Sequence, residues 1–127
     1  MAGRLLDEGR SGAVPVKITL KDAYSLNEGK VTVAVQVSPA TGTVDDTFAI
    51  TSATVLPPGF EELVQIATPS RPSFAGWRRT TALSDPFGRG DPFWEGPGTY
   101  YFRSKLVNTS NGTRSKAGPP VPLTVAV

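Results

Sequence analysis

The sequence reads GTYYFRSKLVN from Gly98 to Asn108 and, after a polar loop, PPVPLTVAV from Pro119 to Val127. In the first run the large apolar side chains fall on one face and the basic side chains on the other, with Tyr100, Phe102 and Leu106 opposed to Arg103 and Lys105. In the second run the aliphatic residues alternate, at Val121, Leu123, Val125 and Val127. A period of two is typical of half-buried strands. The two runs therefore predict the closing hairpin of a β-sheet domain.

Composition extends this prediction to the whole chain. A length of 127 residues gives room for one domain with a single core. The 13 glycines and 12 prolines are scattered between apolar runs, as expected when many turns join short strands. Further runs rich in β-forming residues lie at residues 14–20, 30–37, 46–56 and 76–83. An all-β fold follows, with six or seven strands.

Individual segments differ in how clearly they predict a strand. Residues 30–37 alternate most regularly, so we place them as one strand in the centre of a sheet. Residues 61–67 fit a strand or one turn of helix equally well, and residues 84–98 are so rich in Asp, Pro and Gly that they predict a loop. We expect the core to hold the inward positions of the strands, namely Val33, Val35, Tyr100, Phe102, Leu106, Leu123 and Val125.

The closing hairpin resembles the last two strands of immunoglobulin-like and fibronectin-type-III-like domains, through its Gly-x-Tyr-x-Phe entry and Pro-Val-x-Leu-x-Val exit. In those domains a tyrosine corner lies at the start of the penultimate strand. The resemblance implies an Ig-like two-sheet antiparallel β-sandwich, although the chain lacks the cysteine pair of antibody domains. A jelly roll or a small β-barrel is the alternative architecture.

Three absences narrow the range of functions. The chain has no cysteine, which excludes disulfides and thiolate metal sites. It has no histidine either, which removes the commonest general base and the commonest zinc ligand. No Gly-x-Ser-x-Gly nucleophile motif occurs. We therefore expect no enzyme activity, no cofactor and no metal.

The N-terminus is polar and charged over residues 1–12, and we interpret it as an arm outside a sandwich domain that spans residues 13–127. The arm lacks the apolar segment of a secretory signal, and no later segment has the apolar length of a membrane span, so we expect no membrane association. If Met1 is the native start, the protein is made in the cytosol or assembled there. If it is not, the chain is a domain taken from a larger protein.

The aromatic-rich segment 84–98 is the predicted partner-binding site. Its large apolar side chains either cover one end of the sandwich or present a contact patch, which we assign to Phe87, Phe93 and Trp94. The same segment contains Arg89-Gly90-Asp91, which matches an integrin-binding tripeptide, so Arg89 and Asp91 complete the candidate set. Asp45, Asp46, Asp85, Asp91 and Glu95 are oxygen donors that could gather around calcium, but they lack the spacing of a dedicated calcium loop.

Charge is unevenly distributed along the chain. Residues 1–62 carry five bases and eight acids, whereas residues 63–127 carry eight bases and three acids, for a total of +2. Nucleic-acid binding would use the basic half, but the overall charge is too small for a dedicated binder. We therefore expect a protein partner rather than a nucleic acid.

These observations predict a non-catalytic structural or binding module. The setting we favour is a virion, as a capsid decoration or tail-associated protein of a bacteriophage, because Ig-like modules resembling this one are common on phage heads and tails. Its partner would then be a capsid, tail or other assembly subunit, with homo-oligomerisation open. The alternative is an extracellular adhesion or carbohydrate-contacting module of a cell-surface protein, which would use the Arg89-Gly90-Asp91 loop and exposed Trp77 or Trp94.

Overall fold

A computed structural model describes residues 16–19, 30–53 and 56–127 of the chain. The predicted arm, residues 1–12, lies outside these ranges. These described ranges hold ten β-strands, more than the six or seven expected: β1 (Val16–Thr19), β2 (Lys30–Val33), β3 (Val35–Ser38), β4 (Thr41–Thr43), β5 (Phe48–Ser52), β6 (Phe60–Ala67), β7 (Ala75–Thr80), β8 (Ser84–Phe87), β9 (Gly98–Asn108) and β10 (Val121–Ala126). Nowhere in the described ranges is there a helix with the length and apolar character to cross a bilayer.

The strands form two main sheets, which confirms the predicted all-β sandwich. One sheet has five strands in the order β4-β10-β9-β6-β7, and the other has three in the order β3-β5-β8. Neighbours are antiparallel except β4 and β10, which run parallel. A separate antiparallel ladder joins β1 to β2 and places Val16 opposite Val33.

Three strand predictions need correction or completion. Residues 30–37 form two strands rather than one, interrupted at Ala34, and β3 lies at the edge of its sheet and not in the centre. Residues 84–87, predicted as loop, form β8, in which Pro86 occupies an edge strand that tolerates a residue without an N–H. The ambiguous segment 61–67 is strand, because pairing on both sides with β7 and β9 satisfies its backbone.

The core lies between the two main sheets and is built around aromatic side chains. Phe87 contacts the rings of Trp77, Tyr100 and Phe102 edge-on, at centroid distances of 6.0, 5.1 and 5.3 Å. Aromatic pairs favour this geometry because the positive edge of one ring meets the negative face of the other. All seven predicted core residues are buried, namely Val33, Val35, Tyr100, Phe102, Leu106, Leu123 and Val125.

Tyr100 fixes the start of the closing hairpin. Its hydroxyl donates to the carbonyl oxygen of Gly96 over 2.7 Å and accepts from the backbone N–H of Glu95 over 2.8 Å. Burial raises the pKa of this phenol, which keeps it in the protonated form that donates. The hydroxyl therefore connects β9 to the backbone of Glu95 and Gly96, five and four residues upstream. These side-chain hydrogen bonds fix the start of the hairpin in addition to its backbone pairing.

Candidate functional site

The segment between β8 and β9 is organised by the side chain of Asp91. Its carboxylate accepts the indole N–H of Trp77 over 2.9 Å and the backbone N–H of Phe93 over 2.9 Å. Arg78 adds a guanidinium at 3.4 Å. Only 6% of the Asp91 side chain is exposed. The carboxylate is therefore turned into the domain, where it holds the loop against β7.

Glu95 makes a second connection, this time to the β6–β7 turn. Its carboxylate accepts the hydroxyl groups of Ser70 at 2.6 Å and Thr68 at 2.7 Å, and also the backbone N–H of Ser70 at 2.9 Å. The hydrogen bonds from Ser70 and Thr68 hold the pKa of this carboxyl below its ordinary value. Asp91 and Glu95 therefore anchor the segment at two points, one against β7 and the other against the β6–β7 turn.

The three predicted contact aromatics mostly face the core. Phe87 is fully buried, so it cannot contact a partner in this fold, and that part of the prediction is corrected. Trp94 is half-buried, with its ring stacked on Tyr100 at a centroid distance of 5.8 Å and tilted against Phe87. Phe93 is half-buried against the same core. Of the two interpretations of these aromatic side chains, the structure therefore favours the one in which they cover one end of the sandwich.

The Arg-Gly-Asp tripeptide is divided between surface and interior. The Arg89 side chain is 67% exposed and lies 3.7 Å from the carboxylate of Asp45. Asp91 is enclosed by the contacts described above. A partner that binds the Asp91 carboxylate would first have to displace the Trp77 and Arg78 side chains from it. The geometry therefore does not favour an adhesion motif.

A more accessible surface lies on the outer face of the five-stranded sheet. We call it the outer face and define it by the outward side chains of β6, β7 and β9 with Phe74: Glu61, Leu63, Gln65, Phe74, Arg79, Tyr101, Arg103 and Lys105. Pairing places Gln65 opposite Arg103 and Leu63 opposite Lys105. Among the described residues, Tyr101 is the exposed large aromatic, at 43% exposure.

The long side chains of the outer face are held in place by contacts with one another. The Arg103 guanidinium lies 4.1 Å from the ring centroid of Phe74 and donates to the side-chain oxygen of Gln65 over 2.8 Å. Arg79 pairs with Glu61 at 2.6 Å. Guanidinium groups held flat over a ring lose less freedom when a partner binds. The outer face therefore presents fixed guanidinium groups beside the exposed phenol of Tyr101. It carries three cationic side chains and one carboxylate, Glu61, so its net charge is positive; the cations are Arg79, Arg103 and Lys105.

The sequence pattern places Arg103 and Lys105 on the outward side of their strand, but they are not among the predicted site residues. The signal was the alternation of Tyr101, Arg103 and Lys105, which places an aromatic and two cations on one side of β9. What could not be read from the sequence was the pairing of β9 with β6 and the position of Phe74. Those contacts link residues 38 and 29 positions apart.

The described part of the chain contains no group of three or more His, Cys, Asp or Glu side chains that could hold a metal ion. The acids considered for calcium serve other contacts: Asp85 lies near Arg78, Asp91 accepts from Trp77, and Glu95 binds the β6–β7 turn. No protein-family model, curated protein or solved structure matches this chain significantly.

Proposed function

We propose that the chain is a non-catalytic immunoglobulin-like module that binds another protein. If β3, β5 and β8 are taken as strands A, B and E, and β10, β9, β6 and β7 as G, F, C and C′, the order of both sheets is that of immunoglobulin-like domains. The hydroxyl of Tyr100 bonded to the Gly96 carbonyl supports this, because it has the geometry of a tyrosine corner. Trp77 departs from the pattern, since it lies on β7 and not on the strand equivalent to C.

The observation that carries the binding role is the outer face. Tyr and Arg are enriched at protein interfaces because they combine large contact area with hydrogen-bonding groups. Here Tyr101 is exposed beside Arg103, which Phe74 and Gln65 hold in place. The positive balance of the face favours a partner with an acidic surface.

The setting we propose is a virion, in which the module decorates the capsid or belongs to the tail. The support is an analogy of fold: Ig-like sandwiches resembling this one are common on phage particles, and a fold alone does not determine function. The partner would be an acidic surface on a capsid, tail or other assembly subunit.

The extracellular alternative has less geometric support. An adhesion role needs the Asp91 carboxylate, which is 6% exposed, and sugar stacking needs a free indole face. Trp77 is 7% exposed, and Trp94 already stacks on Tyr100. Trp77 therefore offers no open face to a sugar ring, and Tyr100 already covers one face of the Trp94 indole.

Immuno-electron microscopy would test the setting directly. Antibodies raised against the purified chain should label virus particles isolated from the source, at regularly spaced positions on the head or at the tail. Particles prepared in parallel and treated with antibody pre-absorbed on the purified chain should stay unlabelled. Label on cell envelopes, with none on particles, would contradict the virion setting and support the surface-protein alternative.

A further inference from the structure

The two guanidinium groups of the outer face differ in how far their charge is already compensated. Arg79 is paired with the carboxylate of Glu61 at 2.6 Å, so its charge is balanced within the chain. In the part of the chain that the structure describes, Arg103 has no ion pair, and its one side-chain hydrogen bond runs from Nε to the side-chain oxygen of Gln65. The charge of Arg103 is therefore available to a group from outside the chain.

The contacts of Arg103 fix its guanidinium group and leave the two terminal nitrogens uncovered. Phe74 lies against one face of the group, with its ring centroid 4.1 Å from Cζ. Gln65 accepts from Nε over 2.8 Å, along one edge of the group. The edge that carries Nη1 and Nη2 has two parallel N–H groups, which match the two oxygens of one carboxylate. Because the group is already held in place, it loses little freedom when a carboxylate binds there.

Strand pairing leaves the surroundings of Arg103 open on both sides. On one side it lies opposite Gln65, and the next residue in that row is Gly76 on β7, which has no side chain. On the other side the pairing of β9 with β10 ends at Phe102, opposite Val121. Neither β7 nor β10 therefore adds a paired side chain that would cover the guanidinium group.

We propose that Arg103 is the specificity-determining residue of the outer face, and that its Nη1 and Nη2 groups bind one Asp or Glu carboxylate of the partner protein in a bidentate pair. This inference rests on the proposed binding function and adds the chemistry by which the partner is recognised. Lys105 lies two residues further along the same face of β9, at about 7 Å by the rise of a strand. Its ammonium group attracts the partner as a point charge, without the planar geometry of Arg103.

Conservative exchange of the two arginines distinguishes a bidentate pair from charge alone. Arg103→Lys keeps the positive charge but removes the planar group, whereas Arg79→Lys makes the same change at the side chain that Glu61 already binds. In co-sedimentation with virus particles isolated from the source, we expect Arg103→Lys to bind at least fivefold more weakly than the native chain, and Arg79→Lys to bind like the native chain. Thermal unfolding checks that both variants fold.

The charge reversal Arg103→Glu separates this inference from the proposed function. If Arg103→Glu loses binding while Arg103→Lys binds like the native chain, the outer face binds by charge and the bidentate pair is wrong. If both variants bind like the native chain, the proposed function of the outer face is wrong as well. Equal losses for Arg103→Lys and Arg79→Lys would also overturn the assignment to Arg103.

A synthetic probe tests the same contact without particles. Immobilised poly-L-glutamate presents carboxylates, and the native chain should bind it at low salt. Gln65→Ala removes the acceptor that holds Nε of Arg103 without changing the charge of the face, so it should weaken this binding at least threefold. The matched control is Gln36→Ala, on the edge strand β3 of the other sheet, which should bind like the native chain. No binding by the native chain, or equal binding by the two variants, would overturn the bidentate pair.

Discussion

The indole nitrogen of Trp77 lies 2.9 Å from Oδ2 of Asp91, so a core aromatic on β7 is hydrogen-bonded to the acid of the Arg-Gly-Asp tripeptide. This contact explains how an indole can be buried without losing a partner for its N–H. It also gives Asp91 a structural role. The tripeptide is better explained by the polar contacts through which Asp91 holds the loop between β8 and β9 than as a recognition motif.

Replacement of Asp91 by Ala should destabilise the fold. The change leaves the N–H groups of Trp77 and Phe93 without their acceptor, and a buried unsatisfied donor costs about 1–3 kcal/mol. We expect the free energy of unfolding to fall by about 2–3 kcal/mol in denaturant titration. Arg89→Ala, in the same tripeptide but 67% exposed, should change it by no more than about 0.5 kcal/mol. Equal, small effects would contradict the structural role of Asp91.

Truncation of two adjacent residues of β9 should lower the free energy of unfolding by very different amounts. Phe102 is fully buried between the sheets and contacts Trp77 and Phe87, so Phe102→Ala should cost about 3–5 kcal/mol of unfolding free energy. Tyr101 faces outward, and Tyr101→Ala should cost less than about 1 kcal/mol. Chemical denaturation of both variants is the measurement. A loss below about 1 kcal/mol for Phe102→Ala would mean that the register of β9 is wrong.

Gly118 should tolerate no side chain, because it lies directly against the backbone of Val33. A Cβ built on Gly118 collides with the Val33 carbonyl, while the Gly118 N–H donates to Ser104 over 2.8 Å and holds the residue in place. Overpacking of this kind costs about 1–3 kcal/mol. Gly76→Ala is the control, since its Cβ would meet only a Leu63 methyl at 3.8 Å. Thermal unfolding should show a lower midpoint for Gly118→Ala alone; equal midpoints would disprove the close approach.

Stability should depend on pH through Glu95. Hydrogen bonds from Ser70 and Thr68 lower its pKa in the folded state from the ordinary value of 4.5. The folded chain therefore favours the carboxylate, and this stabilisation is complete above the unfolded-state pKa and disappears as the pH falls through the folded-state value. Midpoints of thermal unfolding, measured on both sides of pH 4.5, should fall less steeply for Glu95→Gln than for the native chain.

Ser70→Ala is the companion variant for this titration. It removes the hydroxyl that contributes most to the lowered pKa of Glu95 but leaves the carboxylate in place. Its pH dependence should lie between those of the native chain and Glu95→Gln. Identical slopes for all three proteins would show that these hydrogen bonds do not favour the charged form.

Much of the fold could be predicted from period-two alternation. The pattern located β9 and β10 and the buried positions on them, because a half-buried strand needs apolar residues only on one face. The alternation could not show that residues 30–37 divide at Ala34, since the pattern runs on unbroken while the strand changes partner from β1 to β5. Residues 84–87 were missed because Pro86 suppresses a strand prediction, although an edge strand accepts it.

The candidate site could be predicted only in part. Composition identified Phe87, Phe93 and Trp94 as large side chains in a loop but not which way they point. That direction depends on Asp91 and Glu95, whose partners lie 14 and 25 positions away in sequence. The outer face depends likewise on pairing between β6 and β9. Burial and pairing of this kind come from long-range contacts, which a local pattern does not contain.

We propose that the outer face binds an acidic partner in the assembled particle. Co-sedimentation of the purified chain with particles from the source tests this binding, by comparing the native chain with Arg103→Glu and with the control Arg89→Glu, whose side chain lies in the loop between β8 and β9. We predict that Arg103→Glu weakens binding at least tenfold, that Arg89→Glu binds like the native chain, and that added salt weakens the native complex. Native-like binding by Arg103→Glu, or equal losses for both variants, would contradict the claim.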